Sequence, residues 1–356
     1  MKILLLGEYS GLHNNLKNGL QELGHDVTLA ASGDGFKNFP VDVSFDSLKK
    51  GYLGKFERLL KMYFNTRGLV GFDVVQIINP VLFSPRFNFN SMILNYIIKN
   101  NGQTSLLGAG CDSLFWKKAR TVLPYGPFDD TLKYDFNSKV HPLWDNNDVF
   151  EWNLELARRV DHIIPIMYEY RIGYEGFDNV RRCIPIPMNV KKISYKDNLV
   201  KNKLFVFHGL NRYGFKGTRV VENAFNILKE RYSNDVEVLI EGKMAINDYL
   251  LLMEKTNIII DQVYSHSCGM NAIYALAMGK IVLGGAEPES LDALGFDSTP
   301  VFNIKPTPDS IVENIESLLE RRNEIRDLGL KARLFVEKNH NYISVAEKYL
   351  DTWRIH

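Results

Sequence analysis

Cysteine is scarce in this chain: Cys111, Cys183 and Cys268 are all that 356 residues contain. An odd number at wide, unpaired spacing excludes a disulfide framework and a zinc-finger set, and it suits a reducing cytoplasm. Long apolar runs are also missing. Stretches such as Ile3 to Leu6 and Ile258 to Ile260 fall far below the ~20 residues needed to cross a bilayer. The opening run is shorter than the ~7 to 15 residue core of a secretion signal and lacks a small-residue cleavage site, so it is expected to be a first strand. An excess of either charge is absent, with 43 Lys and Arg against 42 Asp and Glu, so no overall basic field draws the chain to nucleic acid. Tandem repeats and low-complexity segments are lacking as well.

What remains is an average globular composition, 45% hydrophobic and 24% charged, which excludes collagen-like, coiled-coil and wholly disordered chains. The length suggests two domains at about 150 residues each. Continuously apolar residues from Lys2 to Leu6, a loop, then Leu12, Leu16, Leu20 and Leu23 at helical spacing up to Gly24, and an apolar stretch from His25 to Ala30 predict a strand, helix, strand unit. Further strands are expected at Val74 to Ile78, Ser105 to Leu107 and His162 to Ile166. Such alternation argues for a parallel, doubly wound α/β sheet. Two prolines at Ile184-Pro185-Ile186-Pro187 and a polar stretch from Lys191 to Asn202 break the pattern. It restarts with strands at Leu204 to Phe207, Val236 to Ile240, Ile258 to Ile260 and Ile281 to Leu283, and with a helix near Thr218 to Tyr232. The predicted division is 1–188, 189–340 and a C-terminal helix at 341–356 that packs back on the first domain.

Open parallel sheets bind ligands beyond the carboxyl ends of their strands. The loop from Phe207 to Thr218 places Arg212, Lys216 and three glycines, Gly217 among them, ahead of a helix N-terminus. Backbone amides, helix dipole and two cations there suit a diphosphate, although the loop does not match the P-loop pattern. A glycine-bearing turn with solvated cations is the alternative. A second loop, Asp261 to Asn271, leads into an Ala-rich helix ending in Gly279-Lys280 and then a strand. Gly11 and His13 lie in the turn after the first strand, and Asp112 in Gly108-Ala109-Gly110-Cys111-Asp112 after another. A carboxylate at such a strand end can serve as a general base, contact an acceptor or cap a helix. Gly242 and Lys243, beyond the strand at Val236 to Ile240, complete the candidate set.

The order of strand, loop, Ala-rich helix ending in Gly-Lys, strand and Gly284-Gly285-Ala286-Glu287-Pro288-Glu289 resembles the donor-site segment of glycosyltransferases of the GT-B fold, family 4 in particular. Gly24-His25-Asp26, Phe72-Asp73-Val74-Val75 and Ile184-Pro185 are also similar to that family. The resemblance implies two Rossmann-like domains facing across a cleft, an acceptor domain at 1–188 and a nucleotide-sugar donor domain at 189–340. It implies that Arg212 and Lys216 hold the donor diphosphate, though in that family the two lie one residue further apart. Gly269, Met270 and Asn271 fall in its donor loop. The family carries two glutamates eight positions apart; with Gly269 and Gly279 aligned, His266 and Tyr274 stand in their places. His266 can still bond a sugar hydroxyl or phosphate, and Tyr274 a ribose. The alternative is a loop histidine and a core aromatic. The matching N-terminal turn faces the donor, so Gly11 amides and His13 are expected near phosphate or sugar, with a surface-histidine turn as the alternative.

The implied function is transfer of a sugar from a nucleotide diphospho-sugar, UDP being the favoured nucleotide, to a saccharide or lipid-linked acceptor in surface polysaccharide or glycoconjugate assembly. Retention of configuration is implied, which needs no strong protein base. An inverting route would call on His13 or Asp112. No Asp-x-Asp triplet occurs, so a metal-independent reaction without cofactor is expected, with cations and helix N-termini stabilising the leaving diphosphate. A sugar-nucleotide epimerase of the same fold and a non-catalytic nucleotide-sugar-binding protein are the rival readings. Finally, Lys49, Lys50, Lys55, Arg58, Lys61 and Arg67 face one acid, Glu57, between Leu48 and Arg67, with Tyr52, Phe56, Tyr63 and Phe64 interleaved. Such a stretch can rest on an anionic membrane at 48–67, placing the chain at the inner face of the cytoplasmic membrane; a solvated surface helix is the alternative. Nucleic acid is not an expected partner.

Overall fold

The computed structural model describes residues 1–32, 39–47, 49, 51–83, 88–134, 142–210, 214–242, 244 and 246–355. The chain divides into two compact units, Met1–Ala119 with His141–Asn189 and Tyr342–His356, and Arg120–Val140 with Val190–Asn341. No helix among the described residues is long and apolar enough to cross a membrane.

Through the first half run β1 (Lys2–Leu6), α1 (Leu12–Glu22), β2 (Asp26–Ala31), β3 (Val43–Ser44), α2 (Gly51–Arg67), β4 (Val74–Ile77), α3 (Phe89–Lys99), β5 (Gln103–Gly108), α4 (Ser113–Val122), α5 (Pro127–Tyr134), α6 (Asn147–Arg159), β6 (His162–Pro165) and α7 (Tyr168–Tyr174). The second half continues with β7 (Leu204–Gly209), α8 (Thr218–Arg231), β8 (Val236–Glu241), α9 (Ile246–Lys255), β9 (Ile258–Ile260), α10 (Met270–Ala277), β10 (Ile281–Gly284), α11 (Pro288–Leu294), β11 (Phe302–Asn303), α12 (Pro308–Glu320), α13 (Ile325–Asn339) and α14 (Tyr342–Trp353).

The first unit holds a six-stranded sheet in the order β3-β2-β1-β4-β5-β6, every pair parallel. This is the dinucleotide-fold order, whose switch point lies between β1 and β4. The second holds a five-stranded parallel sheet, β11-β10-β9-β7-β8. Here the chain reverses direction across the sheet between β7 and β9. Ile3, Leu4, Leu5 and Leu6 are fully buried, as are Ile258, Ile259 and Ile260, because helices cover both faces of a parallel sheet and leave no polar side. Each unit encloses its own apolar core, one built around Leu4, Val75, Leu106 and Ile163, the other around Val206, Val221, Ile260 and Leu283.

The expected strands are all present, shifted by a residue or two at their ends. The sequence reading missed β3 and β11, because two-residue edge strands carry no periodicity. The division shifts by one residue at Asn189 and Asn341 and differs substantially at one place. Residues 120–134, expected within 1–188, belong to the second unit, where Tyr125 packs against the second core and the Asp130 carboxylate accepts the Gly217 N–H at 2.7 Å.

The C-terminal helix α14 packs on α1 within the first unit. The Tyr342 hydroxyl donates to Glu22 at 3.0 Å and the Trp353 indole N–H to Gln76 at 3.3 Å. The helices approach most closely at Gly19, where a Cβ would lie 2.1 Å from the Tyr342 carbonyl oxygen. Alanine elsewhere in a helix gains about 0.5–1 kcal/mol over glycine, but a clash with backbone cannot be relieved by a rotamer change. Gly19→Ala is therefore expected to lose about 1–3 kcal/mol net in urea unfolding, and a gain would refute the close packing.

Candidate functional site

The switch point of the second sheet gathers the chemistry. Beyond β9 stands Asp261, 2% exposed. Lys216, at the end of the loop after β7, donates to its Oδ1 at 3.1 Å, and the Asn271 side-chain amide reaches the same oxygen at 3.3 Å. The Lys216 carbonyl accepts the Val263 N–H at 3.1 Å. Two loops from neighbouring strands are thus stitched together around one buried carboxylate. His208, fully buried at the end of β7, is held between the Ile260 carbonyl at 2.9 Å and the Thr218 hydroxyl at 3.1 Å. Burial, aided by the nearby Lys216 charge, pushes its pKa down to about 4. It is a neutral structural link between β7, β9 and α8.

Two helix N-termini point at this switch point, and they differ. At α8 the cap Gly217 is left-handed (φ 73°), a conformation that favours glycine, and a Cβ there would meet Val263 at 2.7 Å. Its N–H is taken by Asp130, whose fully buried carboxyl is raised above the ordinary range by desolvation, against the opposing Gly217 hydrogen bond. At α10 the cap Gly269 is extended, and among the described residues no side chain takes the helix's first-turn amides. Four N–H groups at a helix start have no intrahelical partner. The amides of Met270, Asn271 and Ala272 lie at the same strand end to which Asp261 ties Lys216. Tyr274 is half-buried one turn along α10. Gly242, at the end of β8, is required for packing, since a Cβ would sit 1.5 Å from the Leu210 carbonyl oxygen. Arg212 and Lys243 lie outside the described residues.

His266 occupies a second cluster. It is 1% exposed and stacked on Tyr125, with ring centroids 4.5 Å apart and planes 20° from parallel. Its Nδ1 lies 3.3 Å from Glu289 Oε1 and its Nε2 3.2 Å from the Tyr125 carbonyl. Both partners are acceptors, so a neutral ring satisfies one of them and an imidazolium both. The Tyr125 hydroxyl donates to Glu287 at 2.5 Å, and Lys305 donates to the same oxygen at 2.5 Å. Burial alone raises the Glu287 carboxyl, but the Lys305 and Tyr125 hydrogen bonds outweigh it and hold the group below the usual range. The His266 bonds tie the loop after β9 to the start of α11 and to Tyr125.

In the first unit the predicted residues are engaged by their own chain. Glu8, 4% exposed, accepts the N–H of Gly11 at 2.9 Å and of Asn14 at 2.8 Å. Its carboxylate fills the N-terminus of α1, so the Gly11 amide is not free for a donor phosphate. His13, expected in the turn, is fully buried beneath it. Its Nδ1 lies 2.7 Å from the Gly7 carbonyl, and desolvation lowers its pKa to about 4 despite that bond. Asp112 takes the capping alternative: it accepts the Phe115 N–H at the start of α4 at 2.8 Å and the Tyr174 hydroxyl at 2.7 Å. The sequence reading missed Asp261, Asp130, Tyr125 and Glu8. Asp261 follows a strand directly and was visible by the rule that singled out Asp112; the other three carry no spacing signal.

No family model matches the chain, and no curated protein matches its sequence. Solved structures do resemble it along its whole length. HepE of Anabaena, in complex with UDP and glucose, is 12% identical with a TM-score of 0.62 over 99% of both chains. Sucrose-phosphate synthase of Thermosynechococcus elongatus is 14% identical with a TM-score of 0.62, covering 99% of this chain and 98% of that one. UDP-GlcNAc 2-epimerase of Neisseria meningitidis, bound to UDP-GlcNAc, is 12% identical with a TM-score of 0.52 over 99% of both. These likenesses establish the fold, which is GT-B.

Full burial pushes the Asp112 pKa up to about 6, against its hydrogen bonds from Phe115 and Tyr174. A carboxyl raised in the folded state contributes stability that is complete below the unfolded value and is lost as pH rises through the folded one. Asp112→Asn keeps the cap without the charge. Its stability relative to the parent should therefore climb between about pH 4 and 6 and then level off, by at most about 3 kcal/mol. A difference that is flat with pH in urea titrations would contradict the burial of this charge.

Proposed function

We propose that the chain is a glycosyltransferase that moves a sugar from a nucleotide diphospho-sugar, with UDP as the nucleotide, to a saccharide or lipid-linked acceptor. The reading includes a role in surface polysaccharide or glycoconjugate assembly at the inner face of the cytoplasmic membrane. One observation carries it: at the β7/β9 switch point the cap amide of α8 is taken by Asp130, while among the described residues no side chain takes the first-turn amides of α10, which has Lys216 beside it. The diphosphate is assigned to the α10 amides and the Lys216 ammonium, which would stabilise the charge that develops as the sugar–phosphate bond breaks. Lys216 loses little on binding, because an ammonium has three donors and Asp261 uses one. Arg212 is assigned to the same diphosphate by its place in the loop. Tyr274 is assigned to the nucleotide ribose.

Retention of configuration and independence of metal and cofactor belong to the proposal. A retaining route lets the departing phosphate take the acceptor proton and calls on no protein base. In support, His13 and Asp112, the two groups an inverting route would use, are fully buried and engaged in internal hydrogen bonds. The metal's usual work of neutralising the leaving group falls to Lys216 and the helix dipole. Acceptor binding is assigned to the first unit. The Neisseria epimerase shows that an acceptor-free reaction runs on this fold, and product analysis separates the two: transfer requires an acceptor, whereas epimerisation alters the sugar without one.

Thermal unfolding with UDP, GDP, ADP, CMP and dTDP, with and without metal, tests the donor site. One diphosphate at about 100 times its Kd should stabilise the protein by roughly 2.7 kcal/mol, equally well without metal. Lys216→Ala removes a charge-assisted hydrogen bond worth about 1.5–3 kcal/mol, which corresponds to roughly 10- to 100-fold weaker binding. An undiminished shift in that variant would remove Lys216 from the site, and no shift with any nucleotide would favour loss of donor binding altogether.

A further inference from the structure

Helix α2 turns its apolar side away from the protein. Only Gly54, Met62 and Thr66 of its 17 residues are buried. Tyr52 is 90% exposed, Leu53 74%, Phe56 63% and Phe64 58%, with Leu60 and Tyr63 exposed beside them. At 100° per residue these six fall in one sector about 120° wide, opposite the side that carries Gly54, Met62 and Thr66. Soluble monomers rarely leave a continuous apolar surface of this size in water. The notion of a merely solvated helix does not account for it, since a solvated helix would place its aromatic residues inward and its lysines outward.

Cations border the apolar stripe. Lys55 lies along one edge, 5.6 Å from the Tyr52 ring centroid, Lys61 flanks the other, and Arg67 stacks on Tyr63 at 4.4 Å near the helix end. Glu57, the one acid of the helix, is engaged by Lys61 at 3.2 Å and Lys49 at 3.7 Å, and Arg58 pairs with Asp46 at 3.3 Å. Among the described residues neither Lys55 nor Arg67 has a carboxylate partner. An aromatic and aliphatic stripe bordered by cations, of which Lys55 and Arg67 have no carboxylate partner among the described residues, is complementary to an anionic bilayer: rings enter the headgroup boundary and cations meet lipid phosphates. A second copy of this chain is a poor match, because apposing two such stripes brings two sets of cations together.

We infer that α2 is a docking surface for an acidic phospholipid membrane, lying in the bilayer plane with Tyr52, Phe56 and Phe64 inserted. This rests on the proposed membrane location; the transfer reaction is tested separately by nucleotide binding. The full chain should co-sediment with vesicles of equal phosphatidylglycerol and phosphatidylcholine at least tenfold more strongly than with pure phosphatidylcholine, and less as salt rises. Phe56→Ser with Phe64→Ser, and separately Lys55→Gln with Arg67→Gln, should each weaken binding by roughly tenfold or more, with unchanged melting temperature and unchanged UDP shift. Sedimentation velocity on the same samples reports self-association. Equal binding to neutral vesicles, no binding, unaltered binding in both variants, or dimerisation abolished by the serine pair would each overturn the assignment. A UDP shift that is absent while vesicle binding persists would instead count against the donor site alone.

Discussion

The carboxylate of Asp261 is the constraint on which the second unit's site depends. It stands at the end of β9, the central strand of a five-stranded parallel sheet, 2% exposed and in need of partners. A buried, unpaired carboxylate is costly, so its surroundings must supply donors. They come from both neighbouring loops, Lys216 from the β7 side and Asn271 from the start of α10. One charge therefore fixes the relative position of a cation and a helix N-terminus, the two elements an anionic ligand requires. His208, neutral and bridging Ile260 to Thr218, braces the same junction from beneath.

Three other helix starts have an amide taken by a carboxylate of the chain, whereas those of α3, α7, α11 and α13 have no side-chain cap among the described residues. Glu8 fills α1, Asp112 fills α4 and Asp130 fills α8. Each carboxylate satisfies amides that would otherwise attract an external anion. Among the described residues no side chain takes the first-turn amides of α10. The proposed diphosphate site rests on the contrast between α10 and α8 at one switch point, although both units share a Rossmann-like architecture. Gly11 and Gly217 both take left-handed conformations, and the N–H of each is accepted by a carboxylate, Glu8 and Asp130.

Much of this architecture was legible in the amino-acid sequence, because strands buried on both faces read as unbroken apolar runs. Leu204, Val206, Ile258 and Ile281 marked the second sheet as plainly as Ile3 to Leu6 marked the first. The loops that carry function could be located by the same logic, since they follow strands. Their internal bonding could not. Nothing in the spacing of Tyr125 or Asp130 shows that a segment from the first half reaches His266 and Gly217, which lie about 140 and 87 residues away. His13 and His266 stood out as residue types; their burial and internal partners depend on tertiary packing and were not legible in the sequence. The surface position of α2 was expected, but not which side faces outward, because an amphipathic pattern does not say which side meets the protein.

The central claim, that a nucleotide diphosphate binds at the β7/β9 switch point through α10 and Lys216, is tested most directly by amide hydrogen exchange of the full chain with and without saturating UDP. The account predicts slowed exchange at the first-turn amides 269–272 and in the loop 214–217, with the α1 turn around Glu8 and Gly11 unchanged. Slowing confined to the α1 turn, or none in the second unit at saturation, would contradict it.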